Sequence, residues 1–382
     1  MTLAPKAAKA PDPLPSGHAT AQAGKRAGKI GVMLVNLGTP DGTDFKPMWR
    51  YLREFLSDPR VVEIPNIAWQ PLLHGVVLRV RPSRSAAKYA AIWTNDGSPL
   101  LVHSVKQKVL LNGYLGQRLK KEGLPSDLCP VELGMRYGQP SIAASLDKLR
   151  AVNCEKILVL PLYPQYAAST TASTLDAVNA YFRTTRRVPA LRFVDTFHDD
   201  AGYIRALAQS VNDYWQKHGR PDRLVLSFHG LPRRSLTAGD PYHCYCQITA
   251  RLLADEIGLE KNQWILSFQS RFGAGEWLKP YTFETLNAMG RERLRRVDVF
   301  CPGFVADCLE TLEEIAIEGR RVFQKAGGAE LHAIPCLNEQ PAWMAAMTDL
   351  AFRQLGGWLD KPPDAAARER TLLRARVAGA KS

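Results

Sequence analysis

The sequence predicts an α/β protein of two similar Rossmann-like halves, each a four-stranded parallel sheet flanked by helices. Three observations carry this. Short continuous apolar runs, the form taken by strands covered on both faces, alternate with stretches of helical periodicity. The alternation runs through four strands and then four more, with a junction near residue 197. The first strand of each half also runs into a similar turn, L-V-N-L-G-T-P at 34–40 and L-S-F-H-G-L-P at 226–232, which sets Leu37 opposite His229. Strings this short recur by chance, so the echo supports a duplication without carrying it alone.

The elements follow in order. The run 31–37 is a strand stopped by Gly-Thr-Pro, and 43–56 is a helix with Phe45, Met48, Trp49, Leu52, Phe55 and Leu56 on one side. Residues 67–80 put Trp69, Leu72, Leu73, Val76, Val77 and Val80 at helical spacing, followed by Arg79, Arg81 and Arg84. A core-facing helix is the safer reading; one touching lipid, with its arginines near headgroups, is the second. Strands at 131–135, 157–161 and 191–195 complete the first half, with helices at 101–120, 141–150 and 172–183. Strands at 224–228, 264–268, 297–301 and 330–334 form the second, and Pro341–Leu355 is a final helix. The expected domains are therefore 29–197, 198–338 and a closing helix at 339–356, between tails at 1–28 and 357–382.

The chain of 382 residues is long enough for two cores of ordinary size, and its 46% hydrophobic content is that of a globular protein. No apolar run approaches the ~20 residues that span a bilayer. The net charge of +13 is concentrated at the ends. Residues 1–28 hold Lys6, Lys9, Lys25 and Arg26 against Asp12, and 361–382 hold six basic side chains against Asp364 and Glu369. The body is only mildly basic, which weighs against nucleic acid and leaves an anionic ligand or membrane surface. The Ala/Pro/Lys/Gly-rich N-terminus lacks an apolar signal core and reads as a disordered tail. Seven irregularly spaced cysteines suit a reducing compartment better than a disulfide framework.

Chemistry concentrates after the seventh strand. Val299–Gly319 breaks at Pro302-Gly303 and restarts as a helix bearing Asp307, Glu310, Glu314 and Glu318, with Leu309, Leu312, Ile315 and Ile317 as its buried sides. The acids share one face over roughly 16 Å. Like charges at this spacing repel, so the row adds nothing to stability. It is either a solvated face or a carboxylate track for a hard cation. Ligands of parallel sheets bind beyond the carboxyl ends of the strands. There the sequence places Asn36, Leu37 and Thr39; Arg136 and Tyr137; Tyr163 running into Ser169-Thr170; then His229, Gln269-Ser-Arg-Phe272 with Trp277 beyond, and Phe304. No G-x-G-x-x-G follows these strands and no G-x-x-x-x-G-K-[S/T] occurs, so a nucleotide has no phosphate cradle. A large flat apolar ligand with acidic edges fits better. A lone histidine is most often structural, but His229 stands just past a buried strand, and histidine exchanges protons near neutral pH. Cys244-x-Cys246 lacks the partners of a zinc site and reads as structural.

These strings together resemble the ferrochelatase family, enzymes that insert ferrous iron into a porphyrin. The resemblance runs from about 30 to 356 through L-V-N-L-G-T-P, Y-P-Q-Y-x-x-S-T-T, L-S-F-H-G-L-P, G-D-P-Y, F-Q-S-R-F-G-x-x-x-W-L and P-G-F-x-A-D-C-L-E-T-L-E-E-I, in that order. It implies two Rossmann-like halves around a porphyrin cleft. It implies that His229 and Glu310 are the catalytic and metal-contacting pair, with Glu314, Glu318 and Asp307 as a metal or proton path. Leu37, Arg136, Tyr137, Tyr163, Trp277 and Phe304 match pocket positions, Ser169 and Thr170 fall in the matching S-T-T, and Arg81 and Ser98 resemble propionate-binding positions. Animal members hold an iron–sulfur cluster with a cysteine after Y-P-Q-Y and three more in a C-terminal extension. Here Ala168 stands at the first position and no cysteine follows Cys336, so a [2Fe-2S] cluster is not expected, unless Cys244, Cys246 and Cys336 arrange one differently. Position 308 is Cys where animal members have His. The expected reaction is Fe2+ insertion into protoporphyrin IX to form protohaem, with Fe2+ as substrate and no organic cofactor. The alternatives are coproporphyrin or another tetrapyrrole as acceptor, or a haem or metal carrier without catalysis. The expected setting is the cytoplasm, with peripheral contact at the inner face of the membrane as an option.

Overall fold

A computed structural model describes residues 28–272 and 275–359, with 369–370, 373–374 and 377 beyond them. The expected tails lie almost wholly outside the described residues. The chain forms two four-stranded parallel sheets, ordered β2-β1-β3-β4 and β6-β5-β7-β8. In the first, β1 is Lys29–Thr39, β2 Val131–Gly138, β3 Cys154–Pro161 and β4 Ala190–Phe193; in the second, β5 is Arg223–His229, β6 Trp264–Gln269, β7 Arg296–Phe300 and β8 Glu330–Ala333. The helices of the first half are α1 (Phe45–Leu56), α2 (Asn66–Leu72), α3 (Leu78–Ala90), α4 (Pro99–Lys121), α5 (Ile142–Ala151) and α6 (Ser173–Phe182). Those that follow are α7 (Ala201–His218), α8 (Arg233–Thr237), α9 (Tyr242–Ile257), α10 (Thr282–Arg291), α11 (Arg320–Lys325) and α12 (Pro341–Gln354).

The internal repeat is real and finer than the sequence echo. In each half the second strand in chain order donates to the carbonyl of a downstream proline, Met135 N–H to Pro140 O at 2.6 Å and Phe268 N–H to Pro280 O at 2.8 Å. A lone parallel bridge follows in both, Met135 to Ser141 and Phe268 to Tyr281. Each half has a cluster of its own on one face of its sheet, and the two share a third on the other. One apolar cluster runs from Val32 and Leu158 through Phe228 and Leu226 to Trp343 and Met347 of α12. Burial of this size fixes the two sheets against each other and with them the facing strand ends.

Three stretches are wound as π-helix: Leu73–Val77, Ala168–Ala172 and Glu310–Gly319. Their i→i+5 bonds widen the turn, a winding that is rare and concentrates at functional sites. The first corrects the reading of 67–80. Between α2 and α3 the π turn shifts the phase, so the buried residues are Leu73 and Leu78, five apart. Ile67 (89% exposed), Leu72, Val76 and Val80 face outward, so the stretch packs on the core through Leu73 and Leu78 and leaves an apolar row on its other side. In α1 the buried residues are Met48, Tyr51, Leu52 and Leu56, while Phe45 is exposed. The long π segment changes the acidic row as well. Asp307 precedes the helix rather than riding on it. Ile315 is buried as expected, but Ile317 is exposed, because two residues past a buried position points away from the core in either winding.

Candidate active site

His229 ends β5, where it pairs with Gln269 of β6. Its Nδ1 lies 2.7 Å from the carbonyl oxygen of Gly230. A carbonyl only accepts, so Nδ1 carries the hydrogen, and in the neutral ring the lone pair is on Nε2. The tautomer is thus set by the chain itself. The Tyr242 hydroxyl donates to the His229 carbonyl at 2.9 Å and steadies the same peptide. Residue 230 has to be glycine: a Cβ there would sit 2.5 Å from the Gln269 carbonyl oxygen and 3.3 Å from the Trp277 ring.

The carboxylates come from the π segment 310–319. Glu314 is the most elaborately held. Its Oε1 accepts from Ser270 N–H at 2.7 Å, and its Oε2 from the Ser270 hydroxyl at 2.5 Å and Gln269 Nε2 at 3.4 Å. Burial pushes the Glu314 carboxyl up from its ordinary range; the Ser270 donors and the His229 charge pull it back in part, while Glu310 pushes it further up. Glu314 therefore feels both His229 and Glu310. Glu310 is held through its backbone, its carbonyl accepting from Gln269 Nε2 at 2.9 Å, and its carboxylate makes no ion pair among the described residues. Tyr51, Tyr89 and the Cys308 thiol surround it; burial foremost, with the Glu310 charge among the further causes, pushes all three groups up and keeps them neutral.

The remaining acids divide by partner. Glu318 is paired with Arg321 at 2.6 Å. Glu313, not singled out by the sequence, reaches Lys88 of α3 at 2.8 Å. Asp307 corrects the expected path: it is buried and its carboxylate is taken up by Thr311 Oγ1 (2.9 Å), Asn338 Nδ2 (2.7 Å) and Cys336 N–H (3.3 Å). That is a loop anchor, with its lone pairs already used.

Of the expected pocket residues, Leu37 and Phe304 come together, packing on Leu100, Ala306 and Cys308. Trp277 is buried against Gly230 and lies 5.3 Å from Phe272 between ring centres. Arg81 sits 5.4 Å over the Phe272 ring; burial pulls its guanidinium below its ordinary value, and no carboxylate pairs with it. Ser98 is buried and accepts from Thr39 Oγ1 at 2.7 Å. The Tyr163 hydroxyl is buried beside Thr174. Ser169 and Thr170 are half-buried in the π turn 168–172, which is pinned by the Ala168 N–H donating to Asp240 Oδ2 at 2.7 Å.

Arg136 and Tyr137 are corrections. The Oδ2 of buried Asp58 accepts from Arg136 Nη2 (2.5 Å), the Tyr137 hydroxyl (2.8 Å) and the Ser173 hydroxyl (2.6 Å). Tyr137 is fully buried and Arg136 is already neutralised, so this is a closed network and not a pair of free pocket walls. A cavity of about 640 Å³ lies beside it, bordered by Thr39, Tyr51, Arg53, His74, Arg136 and Gly138. It contains neither His229 nor the π-segment acids, and much of its charge is internally paired, Arg50 with Asp41 and Arg136 with Asp58.

Sequence reasoning placed Gln269 and Ser270 at a strand end without giving them a role, and missed Asp58 and Glu313, which depend on partners 78 and 225 residues away. Cys244 is exposed, while Cys246 and Cys336 are buried and burial pushes their thiols well up. Among the described residues, no three His, Cys, Asp or Glu side chains are grouped to hold a metal ion. None of the described helices is long and apolar enough to cross a membrane.

Comparison with known proteins agrees along the whole length. A protein of Methylibium petroleiphilum named ferrochelatase is 56% identical over 96% of this chain and 99% of its own. Ferrochelatase of Nitrosomonas europaea is 50% identical over 93% of this chain and 96% of its own. Among solved structures, SirB from Bacillus subtilis with Fe3+ superposes over 86% of this chain and 96% of its own, at a TM-score of 0.49 and 14% identity. The family model described as Ferrochelatase matches residues 29–355, so nearly all of the described structure is accounted for: the chain belongs to the ferrochelatase family.

Proposed function

We propose that the chain inserts Fe2+ into protoporphyrin IX to give protohaem, releasing two protons, in a cleft between the strand ends of its two halves. The observation that carries this is the His229 tautomer: Nδ1–H is spent on Gly230, so the neutral ring offers the Nε2 lone pair beside Glu314, which in turn feels Glu310. Such a base can accept a pyrrole proton or hold the incoming iron, and the adjacent carboxylates can take the second role. Glu310, whose carboxylate makes no ion pair among the described residues, is the acid at the reacting centre. Glu314, raised by burial, exchanges protons behind it, and Glu318 leads to solvent. Leu37, Trp277 and Phe304 form apolar walls for the macrocycle. Arg81, desolvated and without a carboxylate of its own, suits a propionate, with Ser98 beside Thr39 as a second polar contact.

The test is Fe2+ insertion into protoporphyrin IX beside coproporphyrin III. His229→Ala and Glu310→Gln are each expected to lower kcat by about 10²-fold or more. Near-normal insertion in either variant removes that residue from the mechanism. Preference for coproporphyrin III changes the acceptor, and porphyrin binding without any insertion leaves a carrier. An ultraviolet–visible spectrum of the fresh protein free of iron–sulfur bands is expected.

A second observation bears on location. The outward apolar row Ile67, Leu72, Val76 and Val80, with exposed Arg79 and Arg84, suits a peripheral site on the cytoplasmic face of an anionic membrane, with the acyl region taking the apolar row and headgroups the arginines.

A further inference from the structure

The helix that borders the cleft on the N-terminal side is tied to the C-terminal half at several points. Glu63, just before α2, faces Arg234 of α8 at 3.4 Å. Arg81 lies over Phe272 at 5.4 Å. At the far end Lys88 donates to Glu313 at 2.8 Å, joining α3 to the acidic π segment. This last contact is unequal: the Glu313 side chain is 12% exposed and that of Lys88 53%. One end is fixed in the wall, and the other is a long, hydrated arm that can let go.

Its neighbours give the contact its meaning. Residue 89, next to Lys88, is the buried tyrosine beside Tyr51 and Glu310, and Arg81 stands seven residues earlier on the same helix. Glu313 lies between Glu310 and Glu314. The bridge thus registers the side holding Arg81 and Tyr89 against the side holding the reacting carboxylates. Leu309 adds an apolar contact to the Leu78–Tyr89 cluster, but only the charged pair gives the join polarity.

We propose that Lys88 and Glu313 are positioning residues, a cross-cleft clamp that holds α3 over the acidic segment when porphyrin is bound and releases it for exchange. The proposal rests on the ferrochelatase reading above. An ion pair with one exposed member is weak and screened by salt, which suits a contact that opens in every cycle.

The test uses full-length protein, titrated with protoporphyrin IX without iron by fluorescence quenching and then assayed for kcat and KM. Lys88→Glu and Glu313→Lys, each shown folded by its melting curve, should weaken porphyrin affinity by about two- to fivefold. The exchanged pair Lys88→Glu/Glu313→Lys should return it to near wild type, and Lys88→Arg should retain it. Wild-type affinity should fall between about 0.05 and about 0.5 M salt more steeply than that of Lys88→Met, which keeps only the propionate contact to screen. An exchanged pair no better than the worse single variant, or single variants that bind like wild type, overturns the clamp. If wild type binds protoporphyrin but never inserts iron, the assigned reaction fails while the affinity series still decides the clamp; if wild type does not bind it, both fail.

Discussion

Ser270 grips Glu314 twice, through its backbone N–H at 2.7 Å and its hydroxyl at 2.5 Å, and it does so from a left-handed backbone with φ of 64°. A non-glycine residue in that region is uncommon and strained, and such strain is retained where the surroundings enforce it. Here it turns the N–H toward the carboxylate. Ser270→Ala removes a hydroxyl bonded to a charged group and should cost about 1.5–3 kcal/mol in denaturant unfolding. Ser270→Gly loses the same bond but relieves the backbone, so it should be less harmful than Ala by roughly 1 kcal/mol. Equal losses in the two variants would show that the strain is absent.

The raised Glu314 carboxyl makes stability depend on pH in a direction opposite to that of a salt-bridged acid. Its folded value lies above the ordinary unfolded value of about 4.3, so its stabilising contribution is fully present below that pH. It is lost as pH rises through the raised folded value. At neutral pH the buried charge is a cost, and Glu314→Gln should melt higher than wild type there, with the advantage vanishing in acid. Melting curves of both proteins across that range provide the check; a Gln variant that melts lower throughout contradicts it.

Asp58 and Arg136 predict loss of stability without a direct catalytic defect. Asp58→Ala strands a largely buried guanidinium and should cost about 3–5 kcal/mol in guanidinium unfolding. Adding Arg136→Met should recover part of this, since removing both charges leaves nothing unpaired. If Arg136 served chiefly as a porphyrin contact, Asp58→Ala would instead leave stability unchanged and weaken porphyrin binding.

The outward row on α2, the π turn and α3 predicts lipid contact. Wild type should co-sediment with vesicles containing anionic lipid, and the pair Ile67→Asp/Val76→Asp should lose most of that binding while keeping its melting temperature, because both positions are exposed. Co-sedimentation unchanged in the double variant would leave the row without a membrane role.

What could be read without coordinates was whatever has a local period or a local string. Strand runs such as Gly31–Leu37 and Leu224–Phe228 are buried on both faces, so burial leaves an uninterrupted apolar signature, and the four-plus-four layout followed from it. His229 stood out because it ends a strand, where chain order alone delivers a residue to the cleft, and Glu310 because it lies in the acidic row after β7 and in the family string D-C-L-E-T-L. The phase of 67–80 and the position of Asp307 were not, since a π turn changes winding without changing the residue types that mark a helix.

By itself the sequence determined the α/β class, the repeat, and the residues that the strand ends present. Tertiary structure decided which polar groups are free and which are consumed. Asp307 and Arg136 carry the same charges in either account, but Asn338, Thr311 and Asp58 reach them from distant segments and satisfy them. Glu310 and the Nε2 of His229 are left available because nothing comparable reaches them. A side chain's chemistry is fixed by its type, whereas its availability depends on partners that only the folded chain brings within hydrogen-bond distance.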